Sequence, residues 1–206
     1  PIIPGRVDAP EDIGAAERMS MYRFDLYMQP ITEGRYPQRL LDECPVFLEN
    51  LPEGYQEELD KWFTPMDFVG LNYYHCDRTE YDPTKNLRAK MVENFYAAPG
   101  QKHNAYPAGL FDVVWYAWNR YKLPIYISEN GLGFADAGDE ETDCNDQNRV
   151  VYLREHLRMC ARICRMGYRL KGYMYWNDAD AYEQMSGYDL RFGLTWVDHE
   201  TGERRW

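Results

Sequence analysis

Short apolar runs alternate with longer, helically periodic segments along this chain. Three of the runs are rich in β-branched and aromatic residues and predict buried strands, at residues 66–74, 125–127 and 168–176. The segments between them carry apolar residues every three or four positions, which is typical of helices that bury one face. The clearest helix is predicted at 148–166, and Gly167 ends it as a C-terminal cap.

Several further elements follow from the same pattern. We expect the helix at 148–166 to bury an apolar stripe formed by Val151, Leu153, Leu157, Ala161 and Cys164. Other helices are predicted at 10–28, 38–51 and 55–63, with one more that begins at Tyr106. Stretches without a period predict long loops at 77–100 and 131–146, and the tail predicts an extended segment at 191–198. Loops of such length in a compact domain are usually functional.

The predicted order alternates helices with strands, which indicates an α/β fold with parallel strands and crossover helices. In such folds ligands bind at the carboxyl ends of the strands. Asn72 and Tyr74 end the first predicted strand, Glu129 follows the second, and residues 176–183 follow the third. Polar and aromatic side chains from three strand ends therefore converge on one edge of the predicted sheet.

Glu129 is the carboxylate that this convergence singles out. It lies where the second strand ends, and Asn130-Gly131 after it predicts a turn, because both residues tolerate positive φ. A solvated acidic residue at a strand end is the simpler alternative. The polar and aromatic residues at the other two strand ends favour a functional carboxylate that faces a cleft.

Composition narrows the classes of partner. The net charge of −11 argues against a nucleic acid, whose phosphates the chain would repel. The 18 Tyr, 8 Phe and 6 Trp residues provide flat apolar platforms of the kind that bind sugars. The apolar stretches are too short for a membrane span. The first residues show no signal-peptide pattern, and Pro1 is not an initiator methionine.

Cysteine and histidine positions bear on compartment and metal binding. The five cysteines, at 44, 76, 144, 160 and 164, form no Cys-x-x-Cys pair, which favours a reduced, cytoplasmic protein. Cys160 and Cys164 have helical spacing, and we expect both to pack as small apolar residues. The four histidines are scattered through the sequence, so we expect no metal site and no cofactor.

Four motifs occur in order over nearly the whole chain: Asp67-Phe-Val-Gly-Leu-Asn-Tyr-Tyr74, Tyr106-Pro-Ala-Gly-Leu110, Tyr126-Ile-Ser-Glu-Asn-Gly131, and a fourth from Trp176 through Glu183 to Gly187-Tyr188 and Arg191-Phe-Gly-Leu194. With these motifs the chain resembles the C-terminal part of a glycoside hydrolase family 1 enzyme, the β-glucosidase family. The resemblance implies one incomplete domain over residues 1–206. Its fold would be the C-terminal portion of a (β/α)8 TIM barrel, about strands six to eight with their helices.

Carried over to the matching positions, the resemblance implies that Glu129 is the catalytic nucleophile and that Tyr74 donates a hydrogen bond to it. Asn72 would lie close by, Trp176 would be the platform under the sugar, and Glu183 would bind the outer hydroxyls of that sugar. A retaining glycosidase needs one ionised carboxylate at the anomeric carbon and a protonated one about 5–5.5 Å away. A tyrosine hydroxyl beside the nucleophile would favour its charged form.

Each of these residues also has a simpler interpretation. Tyr74 and Trp176 could be ordinary core aromatics, Asn72 could cap a strand end, and Glu183 could be a solvated loop residue. The motif context favours the functional interpretation in each case.

The fourth motif departs from the family at several positions. Gln184 stands where the family usually has a Trp that stacks on the sugar, and Ala181-Tyr182 replaces an Asn-Phe pair. Gln184 can still bind the sugar by hydrogen bonds but offers no ring, so the choice between glucose and galactose stays open. Leu190 and Phe192 stand where the 6-phosphosugar branch has Lys and Tyr, so we do not expect phosphosugar hydrolysis.

The general acid/base motif of the family, Asn-Glu-Pro, does not occur in this sequence. By the family's layout, the chain begins just after the fifth strand and stops before the last helix. We therefore expect part of a retaining β-glycosidase that acts on β-glucosides or short β-oligosaccharides, with the missing N-terminal half of the barrel as its partner, and we expect the chain alone to be inactive. A sugar-binding half-barrel without catalysis and another β-glycosidase specificity, such as β-galactosidase, are the alternatives.

Overall fold

The computed structural model of the chain describes residues 1–92, 105–135 and 147–205, and these residues divide into two compact units. One unit comprises residues 1–67 and the described part of 76–94. The other comprises residues 68–75 and the described part of 95–206. The candidate site residues named above all belong to the second unit.

The helices are α1 (Pro10–Ser20), α2 (Leu26–Glu33), α3 (Gln38–Glu43), α4 (Pro45–Glu49), α5 (Tyr55–Trp62), α6 (Pro107–Tyr121) and α7 (Gln147–Arg165). The strands are β1 (Ile2–Pro4), β2 (Val69–Asn72), β3 (Asp77–Tyr81), β4 (Ala89–Val92), β5 (Ile125–Asn130), β6 (Phe134–Ala135), β7 (Leu170–Tyr175), β8 (Leu190–Arg191), β9 (Trp196–Val197) and β10 (Arg204–Arg205).

The helical run at the start of the first unit is longer than predicted. A π-helical turn at Met21–Asp25 joins α1 to α2, and α2 continues through Pro30 as far as Glu33. An interior proline removes one hydrogen bond from the helix but does not oblige it to end. Gly34 ends it instead, because its φ of 67° suits the left-handed conformation of a C-terminal cap.

Two other predictions in this unit need correction. The loop expected at 77–100 is wrong in its first part, where β3 pairs antiparallel with β4 and parallel with β1. Charged residues flank Thr79 and Ala89, the buried residues of β3 and β4, and hide the strand pattern. The helix expected at 38–51 divides into α3 and α4, whereas the helix expected at 55–63 is confirmed as α5. Residues 93–100 lie outside the described part.

The second unit contains a parallel sheet in the order β2-β5-β7. This confirms the three predicted strands and their parallel arrangement, although β2 is shorter than the predicted strand at 66–74. Helix α6 begins at Pro107, as the Tyr106 motif predicted, and contacts both β5 and α7. The apolar core includes Val69, Leu71, Leu110, Val114, Ala117, Ile125, Ile127 and Ile163.

Helix α7 and its glycine cap are confirmed, with Gly167 at a φ of 85°, but the predicted apolar stripe is wrong. Val151 and Leu157 are 44% and 45% exposed. Cys164 is exposed, unlike the buried Cys160. The buried residues are instead Arg149, Tyr152, His156, Cys160 and Ile163. The spacing is helical as expected, but three of these five residues, Arg149, Tyr152 and His156, have polar side chains.

Short antiparallel pairs complete this unit. β6 pairs with β8, and β9 pairs with β10, so the extended segment predicted at 191–198 consists of two separate strands. The predicted loop at 131–146 contains β6, and residues 136–146 lie outside the described part. Cys44, Cys76, Cys160 and Cys164 are free thiols. No helix in the described ranges is both long and apolar enough to cross a bilayer.

Candidate active site

Glu129 is the penultimate residue of β5, the central strand of the parallel sheet. Ile125 and Ile127 are fully buried and hold the strand, while the Glu129 side chain is half-buried near its carboxyl end. The Glu129 carbonyl oxygen accepts a hydrogen bond of 2.9 Å from the Tyr73 amide. A rigid, hydrogen-bonded backbone therefore carries this carboxylate, as the sequence predicted.

The turn predicted at Asn130-Gly131 is wrong. Asn130 is the last residue of β5 and is completely buried, and neither residue has a positive φ. Gly131 is required for a different reason, because a Cβ atom there would lie 2.0 Å from the Trp176 carbonyl oxygen. The two residues thus serve close packing behind Glu129 and do not reverse the chain.

Tyr74 donates a hydrogen bond of 2.9 Å from its hydroxyl to Oε2 of Glu129. Burial, this hydrogen bond and the negative charges of Glu129 and Glu183 all raise the pKa of Tyr74. The hydroxyl therefore remains a proton donor at neutral pH. A donor in this position fixes the orientation of the Glu129 carboxylate. Both carboxylates lie within electrostatic range of the same hydroxyl.

Asn72 lies opposite Glu129 in the β2–β5 register. Its side-chain Oδ1 accepts a hydrogen bond of 2.8 Å from the Ser128 hydroxyl, so Ser128 orients the amide. Because the oxygen is the acceptor in this pair, the amide N–H groups remain as donors. The sequence analysis identified Asn72 as a candidate site residue but not Ser128. The motif that contains Ser128 gives no sign that its side chain contacts Asn72.

Trp176 follows β7 and forms a pair with Glu183. Its indole Nε1 donates to Oε1 of Glu183 at 3.1 Å, and the residue is 38% exposed. A tight turn holds Glu183, whose amide donates to the Gly187 carbonyl at 2.8 Å and whose carbonyl accepts from the Gly187 amide at 2.7 Å. Gln184, at the next position, is exposed.

A buried ion pair anchors the segment that carries Trp176 and Glu183. Nη1 of Arg191 donates to Oδ2 of Asp180 at 2.7 Å, and the Gly193 amide donates to Oδ1 at 2.9 Å. Nη1 of Arg149, on α7, donates to the Gly193 carbonyl at 2.6 Å. Asp180 and Arg149 were missed by the sequence reasoning. The polar residues at inner positions of α7 were the signal that could have found Arg149.

A second buried group lies behind Glu129 and involves Asn130, Tyr152 and Tyr173. Tyr173 donates from its hydroxyl to Oδ1 of Asn130 at 2.5 Å, and Nδ2 of Asn130 donates to the Tyr152 hydroxyl at 2.8 Å. Burial raises the pKa of both tyrosines, so both keep their protons. The sequence does not predict this group either, because Tyr173 has the pattern of an ordinary strand residue.

The arrangement provides a carboxylate with a fixed hydrogen-bond donor, an exposed indole face and a second carboxylate held by that indole. These are the elements needed to bind a sugar against an aromatic ring and to attack it with a carboxylate. The described residues contain no cluster of three or more His, Cys, Asp or Glu side chains that could hold a metal ion. The structure brings Tyr74 to Glu129 and Glu183 to Trp176, and it pairs Asn72 with Ser128.

Known proteins are similar to this chain in both sequence and fold. A 1,4-beta-D-glucan glucohydrolase from Thermotoga neapolitana is 35% identical over 196 residues, covering 94% of this chain and 45% of the relative. A family 1 β-glucosidase from Thermotoga maritima has a solved structure that superposes with a TM-score of 0.88 at 32% identity, covering 99% of this chain and 46% of that one. The same enzyme has been solved in complex with isofagomine lactam, with a TM-score of 0.87 at 33% identity and the same coverage.

The chain spans about half the length of these relatives. They are β-glucosidases or a glucan glucohydrolase by name, and those with solved structures share the fold of this chain closely. The model of Glycosyl hydrolase family 1 matches residues 1–206, and the chain therefore belongs to that family.

Proposed function

We propose that the protein containing this chain is a retaining β-glycosidase that hydrolyses terminal β-linked glucosides. The observation that carries the proposal is the 2.9 Å hydrogen bond from the Tyr74 hydroxyl to Glu129 at the end of the central strand. The names of the relatives support the substrate class, since they include β-glucosidases and a glucan glucohydrolase. The solved complex of a relative with isofagomine lactam, a sugar-like inhibitor, supports a site that binds a sugar.

In the proposed mechanism, Glu129 attacks the anomeric carbon and the bond from that carbon to the glycosidic oxygen breaks. The leaving oxygen takes a proton from a second carboxylic acid, which we place outside these 206 residues. Water then attacks the glycosyl-enzyme, gives its proton to the same second group, and releases Glu129. Tyr74 stabilises the ionised nucleophile before attack and after release.

The remaining site residues would bind the sugar. The exposed ring of Trp176 is the proposed platform, and Glu183 accepts hydrogen bonds from hydroxyl groups at the sugar's outer edge. Asn72, oriented by Ser128, donates from its amide near the nucleophile. Gln184 adds a polar contact without a ring, which favours a site that accepts more than one sugar epimer.

We also propose that this chain forms about strands six to eight of a (β/α)8 barrel with their helices. The parallel order β2-β5-β7, with crossover helices α6 and α7, supports this assignment. We further propose a reducing, cytoplasmic compartment, which the odd number of cysteines without a Cys-x-x-Cys pair supports. The rest of the barrel would then supply the acid/base and further sugar-binding residues.

The test is an assay of the full-length protein with 4-nitrophenyl β-D-glucoside and β-D-galactoside, together with the Glu129→Gln variant. We expect the wild type to release the sugar first as the β-anomer, which proton NMR detects, and the variant to bind but lose nearly all turnover. A 2-deoxy-2-fluoroglucoside should label the peptide that contains Glu129. Sugar binding without turnover by the wild type would support the non-catalytic alternative.

A further inference from the structure

We propose that Tyr152 of helix α7 is a positioning residue for the nucleophile, because its hydroxyl joins the strand end that carries Glu129 to the one that carries Tyr74. The inference rests on the proposed function and deepens it. It assigns a role in the reaction to a residue that lies behind the site and does not touch the substrate.

The Tyr152 hydroxyl makes two hydrogen bonds in the buried core. It accepts from Nδ2 of Asn130 at 2.8 Å and donates to the Tyr74 carbonyl oxygen at 3.2 Å. Asn130 is covalently bonded to Glu129, and Tyr74 holds the Glu129 carboxylate through its own hydroxyl. One hydroxyl group on the helix thus connects the backbone of Tyr74 to the side chain of Asn130, the residue next to Glu129.

Hydrogen bonds fix the orientation of the Asn130 side-chain amide. Its Nδ2 also donates to the Tyr73 carbonyl at 2.5 Å, and its Oδ1 accepts from the Tyr173 hydroxyl at 2.5 Å. Both hydrogens and the oxygen of the amide therefore have partners, which excludes a flipped side chain. Groups from the three parallel strands and from α7 meet at this one completely buried amide.

The Tyr152 ring is fixed independently of its hydroxyl. It packs on the ring of His156, with centroids 3.9 Å apart and 31° between the planes, and the Tyr152 side chain is only 3% exposed. A Phe at this position would keep the ring contact and remove the two hydrogen bonds of the hydroxyl. The substitution Tyr152→Phe therefore separates positioning from core packing.

The test compares Tyr152→Phe, Tyr74→Phe and the double variant in the full-length protein, with Ile163→Val as the matched control. Ile163 lies on the same buried face of α7, about three turns from Tyr152, and is completely buried. The measurement is the rate of covalent labelling by an activated 2-deoxy-2-fluoroglucoside, normalised to the titrated active sites. The affinity for a neutral competitive inhibitor and the melting temperature are measured alongside.

We expect Tyr152→Phe to slow labelling about tenfold, as the loss of one or two hydrogen bonds predicts, with little change in inhibitor affinity. In the Tyr74→Phe background the same substitution should cost less than about threefold, because the two residues act through one hydrogen bond to Glu129. Ile163→Val should lower the melting temperature without slowing labelling per active site.

Equal costs of Tyr152→Phe in both backgrounds, or a labelling rate that matches Ile163→Val, would overturn the inference and leave the proposed function intact. A wild type that neither turns over glucosides nor labels would refute the proposed function, and the inference with it. If Tyr152→Phe does not fold, Tyr173→Phe tests the same amide from the other side, and it should show the same coupling to Tyr74.

Discussion

Asp180 and Arg191 form an ion pair of 2.7 Å whose side chains are 2% and 7% exposed. The Gly193 and Val197 amides donate to the same carboxylate, at 2.9 and 3.3 Å, and Arg191 also donates to the Val197 carbonyl. The pair therefore ties together the ends of the segment that includes Glu183. Removing one partner of such a pair leaves a buried charge without its counterion.

We predict that Asp180→Asn lowers the free energy of unfolding by about 3–5 kcal/mol, which urea titration at neutral pH measures. The matched control is Glu17→Gln, which breaks the exposed ion pair of Glu17 with Arg39. That pair is worth at most about 1 kcal/mol. Equal losses for the two variants would contradict the structural role given to Asp180.

Acid should destabilise the protein partly through His156. This side chain is completely buried, and burial lowers its pKa from 6.5 to about 4. Its Nδ1 lies 2.8 Å from the Tyr152 carbonyl, and its Nε2 has no hydrogen-bond partner among the described residues. Protonation would therefore create a buried charge with one unsatisfied donor.

The sign of the effect follows from the lowered pKa. The unfolded chain takes up a proton near pH 6.5 and the native chain only near pH 4, so stability is full above pH 6.5 and falls as the pH drops toward 4. We expect about 3 kcal/mol from this group over that interval. Urea unfolding of wild type and His156→Gln between pH 7 and 4 measures it. A wild-type loss that the variant shares in full would exclude His156 as its source.

Gln184 should weaken discrimination between sugar epimers. Its side chain is exposed and offers no ring to stack on the sugar. We predict that the ratio of kcat/KM for aryl glucoside to kcat/KM for aryl galactoside corresponds to a free-energy difference of no more than about 1–3 kcal/mol in the full-length protein. Gln184→Trp should widen the difference, and Gln184→Asn serves as the polar control. A preference of several orders of magnitude in the wild type would contradict the prediction.

The 206-residue chain by itself should not be a competent hydrolase. Acid catalysis typically contributes ~10²–10⁴-fold, and no motif in this sequence places an acid opposite Glu129. In the described residues β2 and β7 are the edges of the parallel sheet, and the nearby Phe68 and Met174 are 56% and 46% exposed. Such edges and apolar surfaces favour association.

The experiment purifies the chain, measures its oligomeric state by light scattering, and assays it with an activated aryl glucoside. We expect oligomers or aggregates without turnover, and activity only when the rest of the barrel is supplied. A soluble monomer with sustained turnover, lost in Glu129→Gln, would contradict this expectation.

Elements whose signals are local could be predicted from the amino-acid sequence. Ile125 and Ile127 mark the central strand, Gly167 marks the end of α7, and the alternation of helices with strands predicts a parallel sheet. The position of Glu129 at a strand end follows from the same local pattern. These features depend on backbone preferences and on side-chain periodicity, which neighbouring residues in the chain express directly.

Which side chains the helices and strands bury depends on long-range contacts that local sequence patterns do not contain. Tyr152 faces the core and Leu157 faces outward, because the Tyr152 hydroxyl meets polar partners at the strand ends. The sequence predicts a turn at Asn130, whereas in the structure Tyr152 and Tyr173 form hydrogen bonds with its buried side-chain amide. The Asn130 amide can be buried because distant parts of the chain satisfy its hydrogen bonds, and no local pattern contains those partners.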